Sequence, residues 1–157
     1  MTLMDVPAGA RIAVRARVRK DLDELEYRRA LVSLVRDGHT QRQISGWLGI
    51  SQPSVQSALQ TAQKVPFPVE GFSGANPIEI AQRFAAGLIE REQLVDELAR
   101  FPYADRVSSD GYDWLVEQPS ATWSEVSRAV RMGLLEDDVY DEIFARRHGA
   151  PAPAPAQ

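Results

Sequence analysis

The stretch from Thr40 to Gln63, TQRQISGWLGISQPSVQSALQTAQ, leaves its backbone little choice. Thr40 has the side chain of a helix N-cap. Gln43, three residues on, is placed to return a bond to the cap's own amide, the pattern of a capping box. Ile44, Trp47 and Leu48 then recur at i, i+3 and i+4, which predicts one apolar stripe on a short helix. Gly49 follows where the chain must turn, and glycine enters positive φ without a Cβ penalty. Ile50 can plug the corner. Ser51 is a second N-cap, and Pro53 falls in the first turn of the next helix, where a missing amide does no harm. Val55, Leu59 and Ala62 are expected to face inward, and Ser45 and Ala58 are small enough for a close crossing. Gln52, Gln56, Ser57 and Gln60 are left outside. The stretch therefore predicts two short helices about a tight turn, the second with an outer face of amides and hydroxyls.

In order and spacing, Gln41, Ile44, Ser45, Leu48, Gly49, Ile50, Val55 and Ala58 resemble the helix-turn-helix of bacterial and phage transcription regulators. The resemblance covers about residues 22–63, the hairpin plus the helix before it. The family usually has Ala where Ser45 stands and a larger apolar residue where Ala58 stands, and Leu59 can supply that bulk. The resemblance implies that the second helix of the hairpin lies in the major groove of double-stranded DNA, its N-terminal part against base edges. It would bring Ser51, Gln52, Ser54, Gln56, Ser57 and Gln60 to the DNA. Gln pairs bidentately with adenine, and Ser reaches bases or phosphate. Thr40, Gln41 and Arg42 would sit near a phosphate.

The charge distribution agrees with a split architecture. The chain of 157 residues carries a net charge of −4. Residues 1–65 hold 10 Lys/Arg and 6 Asp/Glu, a net of +4, while residues 66–157 hold 8 and 16, a net of −8. A basic half with a reading motif joined to an acidic half that phosphate would repel is what a DNA reader fused to another module looks like. There is no Cys, which removes disulfides and thiolate metal sites. No apolar run reaches membrane-spanning length and no signal-peptide pattern opens the chain, so the expected location is cytoplasmic, with no membrane partner.

Arg11 to Lys20, RIAVRARVRK, alternates like a strand at Ile12, Val14, Ala16 and Val18, but no second convincing strand exists to pair with it. A helix with a Val14, Val18, Leu22, Leu25 seam is the preferred reading. Arg15, Arg17 and Arg19 within this basic run are candidate phosphate contacts, as an arm beside the motif. Asp21 to Arg36 predicts an amphipathic helix with Leu25, Leu31, Val32, Leu34 and Val35 on its apolar side, ended by Gly38. Residues 65–75, VPFPVEGFSGA, with two Pro and two Gly, read as a linker pinned at Phe67 and Phe72.

Beyond the linker, Asn76, Pro77 and Glu79 open a helix as cap, first position and box partner. Ile80, Phe84 and Leu88 continue its stripe to a stop at Gly87. Glu90–Phe101 follows, then a polar loop, a short element around Trp114, a helix from a Thr122 cap to Met132 and a last helix over 136–147. The segments FAAGLIE (84–90) and VRMGLLE (130–136) are alike. Each reads as helix, glycine stop, apolar pair, helix, so two hairpins are expected to pack as a pseudo-symmetric bundle. The fold expected is thus all-α. A helix-turn-helix domain (10–64) with a long first helix joins, through the linker (65–75), a small acidic bundle of two hairpins (76–148), ahead of a disordered Pro/Ala tail (149–157).

The residues for catalysis are scarce. Two His, His39 and His148, stand without a cluster, and there is no glycine-rich phosphate loop. Asp96/Glu97, Asp137/Asp138 and Asp141/Glu142 lie on helical spacing without ligand-loop geometry and read as solvated faces. Trp123 and Tyr140 read as core, as do Tyr112 and Trp114. The expectation is no enzyme, no cofactor and no metal. The resemblance instead implies a sequence-specific DNA-binding transcriptional regulator, expected to be a repressor, reading the major groove with helix 51–63. It would work as a homodimer on two half-sites or with a protein partner held through residues 76–148. The competing reading is a protein-interaction module, such as an antitoxin or phage-encoded adaptor, in which the acidic half is the active part.

Overall fold

In the computed structural model, residues 7–104 and 121–149 are described. They form α1 (Ala8–Arg36), α2 (Gln41–Leu48), α3 (Gln52–Ala62), α4 (Pro77–Ala85), α5 (Arg91–Arg100), α6 (Ser124–Arg131) and α7 (Asp137–His148). No strand occurs among the described residues, and the fold is all-α. No helix among them is long and apolar enough to cross a membrane. The element expected around Trp114, most of the polar loop and the Pro/Ala tail beyond Gly149 lie outside the described residues.

The chain divides into two compact units. One is Arg19–Phe67. The other combines the described parts of Met1–Val18 and Pro68–Gln157. The division falls inside α1, which runs unbroken from Ala8 to Arg36. Between Gly9 and Gly38 the chain has neither Gly nor Pro, so nothing interrupts the ladder. The strand-like alternation at its start is therefore wound into helix. Its consequence is exposure: Ile12 is 72% and Val14 43% exposed, and the expected seam survives at half-buried Val18, buried Leu22 and half-buried Leu25.

In the Arg19–Phe67 unit, Leu31, Ile44 and Val55 form the core, with Leu34, Ile50, Ala58 and Leu59 packed against it. α1 stops at Gly38, φ 90°, where the His39 amide bonds back to the Leu34 carbonyl at 3.1 Å. That is the six-residue closure of a Schellman end. Phe67 lies under the Arg36 guanidinium, 4.7 Å from its ring centre, and Arg29 Nε donates to the Pro66 carbonyl at 2.8 Å.

In the other unit the sequence repeat is structural. Gly87 and Gly133 take φ 79° and 77°. In each case the next Leu amide closes the helix end, Leu88 to the Arg83 carbonyl at 2.8 Å and Leu134 to the Ala129 carbonyl at 3.0 Å. Glu90 and Glu136 then start the second helices from the same extended conformation. The hairpins α4–α5 and α6–α7 pack with α4 on α6 and α5 on α7. Ile80, Leu94, Val95, Leu98, Val126, Leu135 and Ile143 fill the core between them. The two copies differ at the corner: Leu134 is buried, but Leu88, expected on the stripe, is 45% exposed.

Two expected caps differ in detail. The Asn76 side chain accepts from the Glu79 amide at 2.8 Å, but the Glu79 carboxylate reaches past the cap to the Ala75 amide at 3.1 Å. Thr122 does not cap α6 with its side chain; its hydroxyl meets the Ser124 hydroxyl at 2.6 Å, and its carbonyl receives the Glu125 amide.

Residues 68–75, expected to be part of a linker, are fastened to the C-terminal unit. Phe72 packs on its core, and the Glu97 carboxylate accepts from the Ser73 amide. The Arg100 guanidinium donates to the Gly71 carbonyl at 2.7 Å and covers the Phe72 ring. The two Phe residues of this stretch therefore anchor one to each unit.

Candidate nucleic-acid interface

The hairpin is built by its caps. The Gln43 amide donates to Thr40 Oγ1 at 3.2 Å and the Thr40 amide to Gln43 Oε1 at 2.9 Å, a complete capping box. Gly49, φ 68°, makes the left-handed exit, its amide bonded to the Ser45 carbonyl at 2.9 Å. The Ser45 hydroxyl donates to the Ile50 carbonyl and ties the far side of the turn. An Ala at this position would have no such bond, so the Ser has a local purpose in the turn. Ser45→Ala is expected to lower the stability of the N-terminal unit by about 1 kcal/mol, the usual worth of one internal hydrogen bond. Urea denaturation of the pure variant measures it, and an unchanged midpoint would show the bond to be idle.

α3 starts at Ser51, whose hydroxyl accepts from the Ser54 amide at 3.2 Å and meets the Ser54 hydroxyl at 2.8 Å. Both hydroxyls are thus occupied in the cap. Gln52, Gln56, Ser57 and Gln60 are all exposed, while Val55 and Ala62 are fully buried. Gln56 and Gln60 line a groove of about 400 Å³ with Gln41 and His39, walled by Val35 and Leu59. Thr40, Gln41 and Arg42 are exposed at the start of α2, and with Thr40 capping Gln43 the first-turn amides of α2 are free of helical partners. Arg15, Arg17 and Arg19 are exposed on α1.

The apolar stripe of α2 is narrower than its spacing suggests. Ile44 is fully buried, but Trp47 is 60% and Leu48 40% exposed. Trp47 instead stands edge-on to His39, ring centres 5.1 Å apart. An eight-residue helix packed along one line covers about one residue per turn, and Trp47 lies at the rim of that line.

The acidic half shows what its charges do. Arg91 bonds Asp138 at 3.1 Å and Glu142 at 2.9 Å, joining α5 to α7, and this guanidinium holds the Asp138 carboxyl below its ordinary value. Asp96 pairs with Arg100 at 2.9 Å. Among the described residues, no three His, Asp or Glu side chains gather as metal ligands would.

Glu125 behaves differently. Its Oε2 is buried without a hydrogen-bond partner among the described residues, and burial pushes its carboxyl up, opposed by nearby Arg128. A raised folded value means that the native state holds this proton more tightly than the unfolded chain. The group therefore detracts from stability above its folded value; the penalty fades as pH falls through that value and is gone below its unfolded value. Glu125→Gln is expected to raise the melting temperature at neutral pH and to leave it unchanged in mild acid. A constant difference across the range would refute the assignment.

Tyr103, Trp123, Tyr140, Phe144 and His148 form an aromatic cluster from the segment just after α5 to α7, with Trp123 Nε1 donating to the Tyr140 hydroxyl at 3.2 Å. Trp123 and Tyr140, expected in the core, are both half-buried within this cluster. No family model, curated protein or solved structure matches the chain.

Proposed function

We propose that the protein is a sequence-specific DNA-binding regulator that reads the major groove with α3. The observation that carries this reading is the capped α2–α3 hairpin with left-handed Gly49, whose outer helix presents Gln52, Gln56, Ser57 and Gln60 to solvent. Exposed amide side chains have the donor–acceptor pairs that base edges require. The net +4 of residues 1–65 supplies attraction to phosphate, and the −8 of residues 66–157 keeps the rest of the chain off it. No Arg lies on the reading face, so affinity per chain is modest and a homodimer on two half-sites is the natural form. Repression follows as the simplest consequence of occupying an operator.

The test is binding of the full chain to double-stranded DNA from upstream of its own gene against scrambled DNA, at two salt concentrations. Preference for the former supports the reading; equal binding at both salts would refute it and turn attention to a protein partner for the acidic unit. Arg15 and Arg17 are proposed to contact phosphate. Replacing both with Ala is expected to weaken binding to both DNAs and to reduce the slope of log K against log salt by roughly two. An unchanged slope would remove the arm from the interface, and sedimentation as a monomer on DNA would remove the dimer.

A further inference from the structure

Residues 66–157 hold twice as many acids as cations, 16 to 8, so an arginine there has partners within easy reach. Arg83, Arg91, Arg100 and Arg146 each take a carboxylate. Arg128, Arg131 and Arg147 take none among the described residues, and the last two line the same cavity. This cavity, about 490 Å³, lies in the C-terminal unit, with Tyr103, Trp123, Ser127 and His148 also in its wall. No acidic side chain lines it among the described residues. Its size suits a small organic molecule.

Arg147 is not a loose surface cation. Its Nη1 donates to the Ala99 carbonyl at 2.9 Å and the Phe101 carbonyl at 3.2 Å, and its guanidinium lies over the Tyr103 ring at 4.5 Å. Those contacts fix the plane of the group while occupying one of its donor nitrogens, which leaves the others to an acceptor. Two carbonyls and a ring hold a full positive charge that no carboxylate among the described residues pairs with. Arg131 comes from the last turn of α6, one turn beyond Ser127, whose hydroxyl has no partner among the described residues. Trp123 stands 5.2 Å from Tyr103, so the same wall offers aromatic surface beside the cations.

We infer that this cavity is a binding site for a small aromatic anion, its carboxylate or phosphate held by Arg131 and Arg147 and its ring set against Trp123 and Tyr103. A planar guanidinium fork selects an oxyanion, and the paired rings select a flat body over an aliphatic one. The two requirements together distinguish the site from a patch that merely attracts counterions. It is independent of the DNA-reading hairpin.

The test is titration of the full chain with benzoate and phenyl phosphate, against benzamide, which lacks the charge, and inorganic phosphate, which lacks the ring. The readout is the Trp123 indole N–H resonance, assigned with Trp123→Phe. Saturable binding of benzoate or phenyl phosphate is expected, at least tenfold tighter than either stripped analogue, and the tighter of the two identifies the headgroup. Arg131→Gln, an exposed substitution that the fold tolerates, is expected to weaken that binding about tenfold. The site is refuted if neither anionic ring saturates below about 10 mM, beyond the weak end of specific binding. It is also refuted if benzamide binds as well as benzoate, if Arg131→Gln changes nothing, or if the Trp47 indole moves in place of Trp123.

Discussion

Glu79→Ala is expected to lower the stability of the C-terminal unit by about 3–5 kcal/mol, the cost of stripping the partner from a buried charge. Glu79 is 3% exposed. Its Oε2 accepts from Arg83 Nε at 3.2 Å and Nη2 at 3.1 Å, and its Oε1 takes the Ala75 amide at 3.1 Å. One carboxylate therefore holds a guanidinium on its own helix and the end of the 68–76 strap at once. The strap follows its contour closely: a Cβ at Gly74 would lie 3.0 Å from the Glu79 Cβ, so any larger residue there must displace it. Removing the carboxylate takes two hydrogen bonds from Arg83 in a site with little access to water and frees a backbone amide. Glu79→Gln keeps the shape and the Ala75 bond but loses the ion pair, so it is expected to fall between Ala and the parent. Denaturant unfolding followed by Trp123 fluorescence reports on this unit. A loss below about 1 kcal/mol for Glu79→Ala would mean that the pair is no better than an exposed one.

This latch also marks where sequence reasoning reaches its limit. The caps at Thr40, Ser51 and Asn76 and the stops at Gly38, Gly49, Gly87 and Gly133 were legible because each depends on residues within one helical turn. The repeat was legible for the same reason, since a glycine and the apolar pair after it are contiguous. Burial was less so. Val14, Trp47, Leu48 and Leu88 fit their stripes by spacing, yet periodicity says which residues share a face and not whether another element comes to cover it. Residues 68–75 looked like part of a linker because Pro and Gly punctuate the stretch. What fastens it, Glu97 to Ser73 and Arg100 to Gly71, comes from 24 and 29 residues away. Arg131 and Arg147 carry no local signal at all. They stand out only when the ion pairs of their neighbours are known.

Gln52→Ala with Gln56→Ala is expected to abolish preference for the cognate DNA, weakening that binding about 30-fold or more, while binding to scrambled DNA is kept. Each good bidentate pair to a base is worth about 1–3 kcal/mol of discrimination, and two well-separated pairs add. The two side chains stand four residues apart on α3, about 6 Å along its axis at 1.5 Å per residue, close to two base steps. Both are neutral, so their loss releases no counterions and the salt dependence should stay as it was. That separates them from Arg15 and Arg17, whose loss is expected to act on both DNAs alike. Neither Gln is part of a cap or of the Leu31–Ile44–Val55 core, so the variant should melt with the parent. Preference retained in the double variant would move base reading to Ser57 and Gln60, farther round the helix from Val55 and Ala62. Preference retained after those are also replaced would leave α3 as a scaffold with no base-reading role.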